Sequence, residues 1–200
     1  MGVIFEFLTK LVASFLTNKV QGKTAIDVEI PLGKDAAPEA SKVNPPVPNM
    51  TLIPSTAIDW SNPDYSITAH FSVKDALTLH AWNRLANESD GLTDEVKANI
   101  VSVCNKMEEI RSVLGCAITV HCIYRSPDYN AQVVKAIPHD VHSMGMAVDF
   151  DCNGHHTIDE IHTILEPLLE KLGIRMEQKT PTWVHIDIHP VGHARYFLAA

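Results

Sequence analysis

Proline placement constrains this chain more than any other feature. Seven of its twelve prolines, Pro31, Pro38, Pro45, Pro46, Pro48, Pro54 and Pro63, crowd into one stretch. Each fixes φ and removes a backbone donor, so neither a long helix nor a central strand can run through them. Residues 23–67, which include PLGKDAAPEASKVNPPVPNM, therefore read as an extended linker. At ~3.1 Å per residue such a stretch reaches on the order of 140 Å. A core has to come from the chain on either side of it.

On the N-terminal side, VIFEFLTKLVASFLTNKV places apolar residues at 3, 4, 7, 8, 11, 12, 15 and 16. That is one stripe of a helix. Glu6 and Lys10 interrupt it well short of the ~20 continuous apolar residues of a spanning helix. No basic region or small-residue cleavage site marks a removable leader, and Glu6 stands where a myristoylation signal needs Ser or Thr. Residues 1–22 thus read as an amphipathic docking helix, suited to a membrane surface or a larger protein assembly.

Residues 68–200 carry the periodicities of a folded domain. Ser72 and Asp75 form a capping box ahead of a helix expected to run to about Asn87. A second helical pattern covers 93–114 and stops at Gly115, and AITVHCIY then reads as a strand. A short helix follows near 127–134, and MAVDFDC is a further strand. Thr157 and Glu160 cap a helix expected to reach Leu172 before Gly173, and GIRMEQ and TWVHIDI close the chain as strands. This order predicts an α+β fold, a small antiparallel sheet with helices packed against it.

Composition narrows the function classes. A net charge of -8 excludes a broad nucleic-acid-binding face, which needs clustered Lys and Arg. Eleven histidines raise the expectation of a metal site. The four cysteines, Cys104, Cys116, Cys122 and Cys152, form no CxxC pair, so they read as buried thiols rather than a zinc knuckle or redox motif, with a disulfide between two of them left open.

The chemistry concentrates in three segments: Tyr124-Arg125-Ser126, His142-Ser143-Met144-Gly145-Met146-Ala147-Val148-Asp149-Phe150, and Trp183-Val184-His185-Ile186-Asp187. A catalytic zinc takes three His or carboxylate ligands and leaves a position for water, and His142, Asp149 and His185 supply that set. Asp149 and His185 lie in strand-like runs whose neighbours stand ~5 Å apart, and His142 enters from a loop.

An HxxGxAxDF stretch followed by WVHID, with YRS upstream, resembles the zinc D-alanyl-D-alanine carboxypeptidase family, grouped with lysostaphin-like peptidases and the hedgehog signalling domain. The resemblance covers about residues 68–198. It implies Zn2+ on His142, Asp149 and His185, with Arg125 holding a substrate carboxylate or the developing oxyanion. It also implies peptidoglycan stem peptides as substrates, cut at D-Ala-D-Ala or L-Ala-D-Glu, by an enzyme acting at the cell wall, as phage lysins of this fold do. Many relatives carry a general base three residues before the last ligand, where this chain has Thr182. Asp187, on the same strand face as His185, is the first substitute for that base and Glu177 the second, while an outer role orienting a ligand histidine stays open for Asp187. His139 and His189 lie near the ligands in sequence, and His155-His156 read as loop residues. The missing acid also leaves open a catalytically inactive zinc-containing binding or structural module.

Overall fold

The computed structural model of the protein describes residues 54–180, 182–190, 192 and 194–198. The expected docking helix at 1–22 and the linker as far as 53 lie outside the described residues. The last part of the expected linker is packed chain. Ile58 and Ile67 are core residues, with Trp60 and Tyr65 laid against them. The Trp60 indole N–H donates to Ser55 O at 2.9 Å, and the Tyr65 hydroxyl donates to Ala57 O at 2.9 Å. A boundary at residue 68 therefore cuts through the folded body. Pro54 and Pro63 do break regular structure, but the apolar residues between and beyond them still find a core to enter.

Helix α1 (Val73–Leu77) begins at the expected capping box, with Ser72 accepting from Asp75 N. It stops far short of Asn87. Thr78 turns extended, and β1 (Thr78–Leu79) pairs antiparallel with β2 (Arg84–Leu85) through a 3-10 turn at His80–Trp82 and Asn83 at φ 49°. The alternation decides it: Leu77 and Leu79 are buried on either side of a half-buried Thr78, a period of two. Asn83 tolerates the left-handed turn that closes the hairpin.

Helix α2 (Asp94–Leu114) is capped by the Thr93 side chain and ended by Gly115 at φ 66°. Its Val96, Ile100, Val103, Cys104, Met107 and Ile110 face the core. Strand β3 (Thr119–Cys122) follows, then α3 (Pro127–Tyr129), which widens into a π turn over Asn130–Val134. After β4 (Ala147–Asp151), a capping box on Thr157 starts α4 (Ile158–Leu165). The single helix expected to Leu172 is split. A 3-10 turn over Glu166–Leu168 intervenes before α5 (Leu169–Leu172), because Pro167 has no N–H to continue the ladder. Strands β5 (Arg175–Glu177), β6 (Val184–Asp187) and β7 (Tyr196–Phe197) complete the fold.

The larger sheet has the order β3-β4-β6-β5-β7. All its pairs are antiparallel except β5 with β7, which is parallel, so the sheet is mixed at one edge. The fold is α+β as expected, with β7 the strand that two residues of sequence signal too weakly to reveal. Val148, Phe150, Val184, Ile186 and Met176 point from one face into the apolar core. Each such buried side chain contributes ~1.5–3 kcal/mol. The intervening residues Asp149, Asp151, His185, Asp187, Arg175 and Glu177 stand on the opposite face. No helix among the described residues is long and apolar enough to cross a membrane.

Candidate metal centre

Register brings the first two functional side chains together. Strands β4 and β6 pair Asp149 with His185 directly, and these residues share the polar face of the sheet. His142 arrives from the turn before β4. That turn is pinned by Ser143 N donating to Asp140 Oδ1 at 2.9 Å, Gly145 N to His142 O at 3.0 Å and Met146 N to Val141 O at 2.9 Å. Gly145 has φ 70°, and a Cβ there would lie 2.8 Å from Val96 O of α2. Only glycine lets this turn lie so close to the helix, and Asn99 of α2 adds a bond to Met144 O at 2.9 Å.

His142, Asp149 and His185 each offer one ligand atom, and those atoms lie within 4.8 Å of one another. His142 Nε2 is 3.3 Å from His185 Nδ1 and 3.4 Å from Asp149 Oδ1, and His185 Nδ1 is 2.8 Å from Asp149 Oδ1. Bonds of ~2.05 Å in a tetrahedron place ligand atoms ~3.3 Å apart, so the spacing and the two-imidazole, one-carboxylate donor set both fit zinc. The orientation fits as well. His142 Nδ1 lies 2.9 Å from Ile123 O, an acceptor only, so that nitrogen carries the proton and Nε2 presents its lone pair to the cluster. Burial opposes ionisation of Asp149, but the attraction and hydrogen bonds of the neighbouring His142 and His185 rings outweigh it and hold the carboxyl well below its usual range. Cys122 Sγ sits 3.9 Å from His142 Nδ1, and burial pushes its thiol up to about 12, so it stays protonated and outside the donor set.

Arg125 is held beside this cluster. Its backbone N–H donates to His142 O, and its Nη2 donates to Asp140 Oδ2 at 3.1 Å. Its buried Nε has no hydrogen-bond partner among the described residues. The guanidinium is anchored at one corner and retains donors for a substrate oxygen.

Asp187 is placed differently from a free carboxylate. Arg175 Nε and Nη2 donate to its two oxygens at 2.8 Å each, and His189 N donates to Oδ1 at 2.9 Å. Its side chain has no exposed surface, and Oδ2 lies 4.0 Å from His185 Nε2. A carboxylate clamped in this way orients its neighbours, and taking up a proton would cost it a buried ion pair. Glu177 has the complementary situation. Continuing the register of Arg175 with Asp187 and Met176 with Ile186 by one step sets Glu177 beside His185. Its carboxylate is half-buried, with no hydrogen-bond or ion-pair partner among the described residues.

His139 is exposed on the approach to Asp140, and the His189 ring turns to Pro190 O at 3.1 Å. His156 bonds Leu114 O at 3.0 Å, away from the cluster. Two contributors were not singled out from sequence, Asp140 and Arg175. Asp140 stands two residues before His142, and Arg175 faces Asp187 only across strands, so neither carries a local signal.

No curated protein and no solved structure matches the chain. A family model described as peptidase M15 matches residues 76–187, more than half of the sequence and the part that holds Arg125, Asp140, His142, Asp149, Arg175, Glu177, His185 and Asp187. The chain belongs to the peptidase M15 family, the family that its YRS, HxxGxAxDF and WVHID segments resemble.

Proposed function

We propose that the protein is a zinc peptidase that hydrolyses peptidoglycan stem peptides. The observation that carries this reading is the convergence of His142, Asp149 and His185, whose ligand atoms lie within 4.8 Å of one another in a peptidase M15 chain. These three side chains hold the ion. Zinc, when bound, supplies Lewis acidity that polarises a carbonyl and brings water toward neutral pKa.

The remaining steps belong to the chain's own groups. Arg125 binds a substrate carboxylate or the oxyanion that develops at the scissile carbonyl. Glu177 takes the proton of the attacking water and returns it to the departing amine, since its carboxylate has no hydrogen-bond or ion-pair partner among the described residues and its strand position neighbours that of His185 by register. The Arg175 and Asp187 pair fixes the side of the His185 ring that faces away from the cluster. The scissile bond is D-Ala-D-Ala or L-Ala-D-Glu. The apolar stripe of residues 3–20 supports a docking role, which would deliver the peptidase to a wall as part of a virion or during lysis.

Incubating purified peptidoglycan with the full chain, with and without chelator, tests the reading. Zinc-dependent release of peptide fragments is the expected result. A protein that takes up one zinc per chain and releases nothing would be the inactive zinc-containing module instead.

A further inference from the structure

The polar face of the sheet continues past the metal centre into a second cluster that the mechanism does not use. In β3 the pairing with β4 shifts between Val120 and Cys122, leaving His121 as the extra residue of a bulge. A bulge re-aims its side chain, and here the imidazole joins the face that carries Asp149. His121 Nε2 lies 2.8 Å from Asp151 Oδ2, and Asp151 Oδ1 accepts from Asn153 N. Asp151 stands two residues from Asp149 on the same strand face, a step of ~7 Å. Just beyond the last β4 and β6 partners, Phe150 and Val184, Trp183 lies in the bend that leads into β6, at the Asp151 end of the strand pair. All three groups are accessible. The His121 and Asp151 side chains are 44% and 28% exposed, and Trp183 is 36% exposed.

We propose that His121, Asp151 and Trp183 form a subsite for a primary ammonium group of the substrate, such as the side-chain amine of a diamino acid. This rests on the stem-peptide reading above. With Asp151 accepting from Nε2–H, His121 presents the lone pair of Nδ1, an acceptor for an ammonium N–H. Asp151 supplies the negative charge, and an indole face attracts a cation. A carboxylate would meet an acceptor and an anion here, so an acidic group is the wrong occupant. The ~7 Å step from Asp149 places the bound group one to two residues along an extended peptide from the bond at the metal centre. A stem peptide carries its diamino acid at that distance from either candidate bond.

The test compares the pentapeptide L-Ala-γ-D-Glu-L-Lys-D-Ala-D-Ala with the same peptide acetylated on the lysine side chain. Full-length protein loaded with zinc is used, with Kd read by calorimetry and cleavage by mass spectrometry. Acetylation should weaken binding about 5- to 10-fold, the scale of an exposed cation–π contact plus a solvent-screened ion pair. That preference should shrink toward unity in both His121→Phe and Trp183→Ala. Equal affinity for the two peptides in the wild type, or a preference that survives both substitutions, would overturn the subsite. The two readings fail separately: cleavage without a binding preference removes the subsite and keeps the peptidase, whereas a His121-dependent preference without cleavage does the reverse.

Discussion

Strands β4 and β6 present two faces built from alternate residues, and the faces follow opposite rules. Val148, Phe150, Val184 and Ile186 form one face, with Phe150 wholly buried, and they serve the core. Asp149, Asp151, His185 and Asp187 form the other, to which Ala147 adds the one apolar residue. A sheet that buried only apolar residues on both faces would be more stable and would bind nothing. The polar face holds together because each group has a partner: Asp149 with two histidines, Asp187 with Arg175, Asp151 with His121. Stability thus comes from one face and chemistry from the other, although the two are separated by single residues.

That division is open to attack. The largest effect belongs to the ligands. His142→Ala and His185→Ala should each lose stoichiometric zinc and all measurable hydrolysis while the fold survives, since neither projects into the apolar core. Elemental analysis beside circular dichroism checks this, and full zinc occupancy in both variants would remove the metal centre. Metal bound only by the native state also adds to its stability, so chelation should lower the melting temperature of the wild type and leave these two variants unmoved.

Next in size is the general base. Glu177→Gln should keep zinc and substrate affinity while kcat falls by about 10² to 10⁴. Asp187→Asn also lies on the polar face but should cost stability as well as chemistry. Breaking a buried pair costs about 3–5 kcal/mol, and loss of an outer partner weakens metal affinity or activity about 10- to 100-fold. Turnover measured at saturating zinc separates them. Collapse in Asp187→Asn with normal turnover in Glu177→Gln would return the base to Asp187.

Phe150→Ala samples the core face between two polar neighbours. It should cost about 3–5 kcal/mol in denaturant unfolding at unchanged m-value and leave zinc stoichiometry intact under native conditions. Loss of zinc binding in a folded Phe150→Ala would show that the two faces are not separable. Smaller again is Gly145→Ala, which has to strain a left-handed residue and push against Val96 O, at a cost of about 1–3 kcal/mol. Because this turn carries His142, zinc affinity should fall with it. Ile67→Ala, at about 2–4 kcal/mol, measures how firmly the proline-flanked segment belongs to the body, and a stability equal to wild type would restore the domain start near residue 68.

How much of this was legible in the sequence depended on the range of the signal. Helix ends were written locally: Ser72, Thr93 and Thr157 cap and Gly115 and Gly173 stop, because capping involves residues three or four apart. The break at Pro167 was equally local and could have been read there. Residues 78–87 are compatible with helix by propensity, so the sequence suggests a longer α1, and only the burial of Leu77 and Leu79 around the hairpin decides otherwise. Residues 54–67 look like linker in the sequence because proline forbids regular structure without forbidding packing, and burial of Ile58 and Ile67 depends on a surface assembled from distant chain.

By itself the sequence determined the family, the α+β class and the identity of three groups able to hold a metal, since donor type and motif order are properties of the linear chain. The tertiary structure alone decided which carboxylate is tied into a buried ion pair. Asp187 and Glu177 are equally acidic in a sequence, but cross-strand register sets Arg175 against the first and leaves the second, one step past the last β5 and β6 pair, without such a partner among the described residues. Ionic partnership acts over a few ångströms in space, and twelve residues of chain separate Arg175 from Asp187, so nothing local could have announced it.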